Sequence, residues 1–201
     1  MSGAGPQAGD LGLNGPVNCR TPMRSAWWAR SRGLPPEVYA AWVQSLPTDR
    51  GRTRILAWAP GPDAYAIVSV GTLAVGSAAV GEAAEFRLLG WHEIERGGWD
   101  VERGRLTWKR YDAQAEHLEL TEPGRVPEVF RERVAASIAM EKFVPLTGER
   151  GVVVTARRDL TGKTPPQWHA TLTRGLRWET PGVAEAVETV VSDVRREYDL
   201  G

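Results

Sequence analysis

"GWHEIERGGWD", residues 90–100, places Trp91 and Trp99 eight positions apart in a charged stretch, and Trp108 follows beyond a turn signal at Arg103 and Gly104. Large aromatics among charges either form a surface on which a ligand stacks or alternate as core residues with solvated ones along strands. The surroundings favour the second reading. "RILAWAP", "AYAIVSV", "TLAVGSA", "EFRLLGWHEIE", "GGWDVE", "RLTWKRY" and "EHLEL" are short runs rich in β-branched and aromatic residues, separated by "GPD" at 61–63, Gly71, "GE" at 81–82, "GG" at 97–98 and "RG" at 103–104. Such spacing predicts an antiparallel sandwich or barrel. In "RLTWKRY", Leu106 and Trp108 point one way and Thr107, Lys109 and Tyr111 the other. On this pattern two strands meet in a turn near residues 95–98, with Trp91 and Ile94 on one side and Trp99 on the other.

The period changes on both flanks. Upstream, "LPPEVYAAWVQSL" sets Val38, Ala41, Trp42 and Leu46 at helical spacing behind Pro36, which suits a first turn. Downstream, Val126, Phe130, Val134 and Ile138 recur every four residues, which predicts a helix over 126–142 opened by Pro127 and Glu128. "RGVVVTARR" and "QWHATLTR" then read as a hairpin across the polar loop "DLTGKTPP". The stripe Val183, Val187, Val190, Val191, Val194 makes a final helix after Thr180 and Pro181. Residues 1–22, rich in Gly, Pro and small polar residues, are expected to be a disordered tail, with Met23 as an alternative start. Residues 23–50 then form a basic tryptophan-containing segment with the short helix, 54–142 the main β-rich body with its helix, and 148–198 a hairpin and helix packed on the same domain.

Composition narrows the functional classes. Twenty-five basic and 25 acidic residues cancel, so no global field draws the chain to nucleic acid or an anionic membrane. Basic charge is nearly all arginine, with lysine only at Lys109, Lys142 and Lys163, and Ala, Gly, Val and Pro are abundant, the bias of a GC-rich bacterial genome. Cys19 stands alone, so neither an intramolecular disulfide nor a cysteine metal cluster can form within one chain. With no long apolar run and no charged leader before an apolar core, the expected compartment is the cytoplasm.

Seven short strands followed by a helix resemble the bacterial pleckstrin-homology (PH)-like and GRAM-like barrel. The resemblance rests on "AYAIVSVGTLAV", "LLGWHEIERGGWDVERGRLTW", "EHLEL" and the helix after them, covering about 54–142. Trp91, Ile94, the Trp99 and Asp100 pair, and Leu106 with Trp108 stand where bacterial members carry a Trp-x-x-Ile element and the following strands. The resemblance implies an α+β fold: a PH-like antiparallel β-barrel of about seven strands plus helix, here extended by a β-hairpin and a C-terminal helix. Members that bind phosphoinositides grip phosphate with a basic loop between the first two strands. The corresponding "PGPDA" has no lysine or arginine and one aspartate, which argues against headgroup binding.

Motifs of catalysis fail on spacing. "TGKT" at 161–164 lacks the upstream glycine of a phosphate loop, that place being Arg157, and prolines follow where a helix is needed. His92 and Glu93 lack a second histidine three residues on, where Arg96 stands. His92, His117 and His169 fall on three separate predicted strands, and no Gly-x-Ser-x-Gly elbow occurs. Glu93 and Glu95 share a strand face by period two, with Arg87 and Arg96 near enough to make them solvated charges. No catalytic residue, metal ligand or cofactor is therefore expected.

The leading expectation is a non-catalytic module that binds a protein or peptide through a sheet edge or a groove beside a helix. Trp27, Trp28, Arg157, Arg158 and Trp178 are its candidate surface residues, aromatics and cations being the common anchors of interfaces. Two alternatives stand beside it: a small-molecule-binding or enzymatic barrel, and single-stranded nucleic acid stacking on an arginine and tryptophan surface. Trp27 and Trp28 also allow a weak membrane contact.

Overall fold

The computed structural model describes residues 33–48, 53–77, 85–111 and 113–198; residues 1–22, together with Trp27 and Trp28, lie outside the described residues. The described residues from Leu34 onward form one compact unit. Among the described residues ten strands make three antiparallel sheets, of four, three and three strands, accompanied by three α-helices.

The first sheet runs β1 (Ile55–Pro60), β2 (Tyr65–Ser69), β3 (Thr72–Gly76) and β4 (Phe86–Gly90) in sequence order. It is covered on both faces, which explains why β2 reads as a nearly unbroken apolar run rather than an alternation. Ala66, Val68, Leu73 and Leu89 face the main core, while Ile67, Ala74 and Phe86 face α1 (Pro36–Ser45). Val38, Ala41 and Trp42, on one side of α1, fill that second layer as their spacing predicts. Ser45 Oγ accepts the Phe86 amide at 3.2 Å, which pins the end of α1 to the start of β4.

The opening stretch divides differently from the sequence reading. β4 ends at Gly90, a single 3-10 turn occupies Trp91–Glu93, and β5 runs unbroken over Ile94–Asp100. No turn forms at Gly97 and Gly98; both lie inside β5, opposite Trp108 and Thr107, and the reversal comes after Asp100, before β6 (Arg105–Arg110). Gly97 is there for space. A Cβ on it would sit 2.5 Å from the Thr107 carbonyl oxygen and 2.7 Å from the Phe130 ring, so a hydrogen is the only substituent that fits. The turn proper uses Gly104 at φ 61°, a left-handed conformation that glycine adopts without strain. The break at 91–93 follows from Glu93, whose carboxylate accepts the Gly90 amide at 2.9 Å and folds the chain around a corner.

β5, β6 and β7 (Ala115–Glu119) form the second sheet, with Leu106 and Trp108 buried on one face as their alternation requires. Among the described residues the seven strands do not close into a hydrogen-bonded barrel: the sheets of four and three remain separate. Both nevertheless contribute to one core with helix α2 (Val126–Ser137), which presents Val126, Val129, Phe130 and Val134 to it. Trp91 is completely buried at the centre, edge-on to Phe130 with ring centroids 5.8 Å apart, and its indole N–H donates to the Ser69 carbonyl at 3.2 Å.

The predicted helix over 126–142 stops at Ser137, and β8 (Ile138–Thr147) begins at once. Ser137 Oγ donates back to Val134 O (2.7 Å) and to Trp91 O (3.2 Å), which holds the last turn. From Ile138 on, inward and outward residues alternate, and the segment pairs with the valine-rich β9 (Arg150–Arg157). Pairing with a strong β partner overrides the helical reading of "AMEK". β10 (Gln167–Leu172) completes the third sheet in the order β10-β9-β8. Helix α3 (Val183–Tyr198) lays Val183, Val187, Val190, Val191 and Val194 across one face of it, over Met140, Val152, Val154, Ala156 and Trp168.

Candidate functional site, a groove between β10 and α3

Arg157, expected at the surface, lies inside. It is 3% exposed, at the end of β9, and donates to Glu95 O (2.7 Å), Ser137 Oγ (2.8 Å), Val134 O (3.0 Å) and the Tyr111 hydroxyl (3.2 Å). Two of those acceptors belong to the C-terminal turn of α2, where unpaired carbonyls and the helix dipole favour a cation. Arg157 therefore joins the third sheet to α2 and β5, and its guanidinium has no surface to offer. Sequence alone gave no sign of this, since the alternation along β9 says which face Arg157 takes but not that the face is covered. Arg158, next to it, is exposed and donates to Ala136 O at 3.1 Å.

A second polar cluster lies where the loop after β9 meets the first sheet. Asp159 is 7% exposed and accepts from the Thr161 amide (2.9 Å) and hydroxyl (2.5 Å). Burial pushes its carboxyl up, but the Thr161 hydrogen bonds and the neighbouring His92 outweigh that and hold it below the usual carboxylate range. Thr161 packs over Gly71 in the β2–β3 turn, and Leu160 against the main core. The group works as a latch for this loop. His92 is buried beside it, and its Nδ1 has no hydrogen-bond partner among the described residues. No group of three or more His, Cys, Asp or Glu side chains able to hold a metal ion occurs among the described residues.

Trp178, the third expected surface residue, is 48% exposed and lines an open groove of about 400 Å³. Ala170 of β10 and Val187 and Val191 of α3 supply its apolar wall, with Glu188, Ser192 and Arg195 along the helix side. Residues 188, 191, 192 and 195 share one helix face by the three-and-four spacing, a signal present in the sequence but masked by the stronger valine stripe beside it. Arg195 lies over the Trp168 ring at 5.5 Å, which holds a cation at one end of the groove.

The two edges of the third sheet differ. β8 carries Glu141, Lys142 and Pro145, features that discourage another strand from pairing. β10, "QWHATL", has neither proline nor a carboxylate, lysine or arginine, and among the described residues no strand pairs with its outer edge. Trp178 thus stands beside a strand edge that no other strand among the described residues pairs with. Tyr111, stacked flat on His169 at 3.4 Å between centroids, supports the other face of β10 and keeps the strand in place.

No family model, no curated protein and no solved structure matches the chain. No helix among the described residues is long and apolar enough to cross a membrane.

Proposed function

We propose that this chain is a PH-like interaction module that binds an extended peptide segment of a protein partner in the groove between β10 and α3. The observation that carries the reading is the half-exposed Trp178 in an apolar groove next to a strand edge left unpaired among the described residues. An added strand would take main-chain hydrogen bonds from β10 and place every second side chain in the groove, the usual division between affinity and specificity in strand addition. Trp178 would anchor it, since partly exposed tryptophans dominate the energetics of such surfaces. The PH-like part of the reading is supported by sheets of four and three strands sharing one core with a following helix. The loop between β1 and β2, closed by the Gly61 amide on Ala64 O, presents no cation for a phosphate.

A displayed library of random peptides, panned on the wild type and on Trp178→Ala, tests the proposal. Enrichment of apolar-centred peptides that lose binding by at least tenfold on Trp178→Ala supports it; ~2 kcal/mol for a tryptophan hot spot implies more than that. Failure to enrich any peptide, or equal binding by Trp178→Ala, refutes it. A small molecule is the second reading, because the groove volume falls within the ~300–1,000 Å³ of ligand pockets. Native mass spectrometry of the purified protein would reveal such a ligand as a mass above that of the bare chain.

A further inference from the structure

Resting on that reading, we infer that the groove selects peptides by charge polarity, taking a basic residue, an apolar residue and an acidic residue at alternate positions in that order. The groove has poles. Glu188 stands at one end of its helix wall and Arg195 at the other, both exposed, with Val191 and Ser192 between them and Val187 as floor. Among the described residues neither Glu188 nor Arg195 is committed to an ion pair, whereas on the same helix Glu197 pairs with Lys142 of β8 and Arg196 with Asp193. Both line the groove, while Glu185, also without an ion pair among the described residues, lies outside it.

The direction of the peptide follows from the topology. Arg195, near the end of α3, lies over Trp168 at the start of β10, while the earlier Val187 shares the groove with Ala170 further along that strand. Helix α3 therefore runs antiparallel to β10. A strand added antiparallel to β10, the commoner pairing, runs in the same direction as α3, so its first residues lie near Glu188 and its last near Arg195.

The spacing follows from the two geometries. Seven helical residues advance about 10 Å, and an extended chain covers about 13 Å between residues four apart, which point to one face with a third residue midway. Long basic and acidic side chains take up the difference. The pattern is thus Lys/Arg–x–apolar–x–Asp/Glu, the apolar side chain entering between Trp178 and Val191. The reversed pattern would set like charges against both poles.

Fluorescence anisotropy with labelled peptides tests this directly. The forward peptide GTRTLTDTG and the reversed GTDTLTRTG have identical composition and net charge, so only polarity separates them. Forward binding at least fivefold tighter than reversed is expected at low salt, the sum of two modest exposed pairs gained and two repulsions avoided. The preference should shrink as salt rises and invert in the charge-exchanged double variant Glu188→Arg, Arg195→Glu, with circular dichroism checking that the variant is folded. Equal binding of both peptides, each weakened by Trp178→Ala, overturns the polarity and leaves the peptide groove standing. Binding of neither peptide to wild type, with the apolar centre varied through Leu, Ile, Phe and Trp, overturns both.

Discussion

Replacing Arg157 by methionine removes the guanidinium while keeping most of its apolar stem, and the structure sets the cost. Four acceptors lose a donor. Ser137 Oγ retains its own bonds to Val134 O and Trp91 O, and Tyr111 is only half-buried. Glu95 O loses a 2.7 Å charge-assisted partner, and Val134 O keeps the Ser137 hydroxyl. Unsatisfied buried groups cost about 1–3 kcal/mol each, and relief from burying a charge returns part of that. We therefore expect a net loss of about 3 kcal/mol. For a domain of this size that lowers Tm by about 6–12 °C. Thermal unfolding followed by circular dichroism measures it, with Arg158→Met as the control, since that exposed side chain makes one hydrogen bond and should cost under about 1 kcal/mol. If Arg157→Met melted within about 2 °C of the wild type, the guanidinium would not be holding the third sheet to α2 and β5, and the account of this joint would be wrong.

Trp91→Ala should cost about 3–5 kcal/mol in urea unfolding, since it empties the centre of the main core and frees the Ser69 carbonyl; an unchanged midpoint would contradict its burial. Gly97→Ala should destabilise by about 1–3 kcal/mol through overpacking against Phe130 and Thr107, whereas Gly98→Ala, with nothing within 4 Å of its Cβ, should be within about 1 kcal/mol of neutral; similar effects at the two sites would refute the close-approach argument. Asp159→Asn should cost about 1–3 kcal/mol at neutral pH by weakening the latch on Thr161. Because the folded carboxyl titrates below its unfolded value of about 3.9, its contribution is complete above that pH and disappears as pH falls through the folded value. The gap between wild type and Asp159→Asn should therefore hold from pH 7 to about 5 and close under strong acid; a gap independent of pH would show that the charge is not what stabilises the loop.

Burial along the chain was legible wherever a period was clean. The alternation of Leu106 and Trp108, the stripe of α3 and the face of α1 all emerge as expected, because one-sided burial imposes the period on the sequence. Gly97 and Gly98 misled because a glycine pair signals a turn as readily as a close contact between a strand and a helix. Only the Phe130 ring, more than 30 positions away in sequence, distinguishes the two. The segment after Ser137 misled for a related reason: Ile138 continues a four-residue spacing, and the strand it enters owes its existence to β9. Of the candidate surface residues that the structure describes, Trp178 and Arg158 are exposed and Arg157 is not. Glu188 and Arg195 went unnoticed because charges on the outer face of an amphipathic helix carry no mark until a neighbouring strand turns them into a wall.

The edge of β10, which no strand among the described residues covers, has a cost of its own. The hydrogen bonds that would receive a peptide are equally open to the β10 of another copy, and no charge or proline there discourages that pairing. Solubility and recognition therefore compete at the same six residues. Concentrated protein should form edge-to-edge pairs that a saturating peptide disperses, and a lysine placed outward on β10 should suppress both pairing and peptide binding. A cell that makes this chain gains from keeping it scarce, or from supplying the partner along with it.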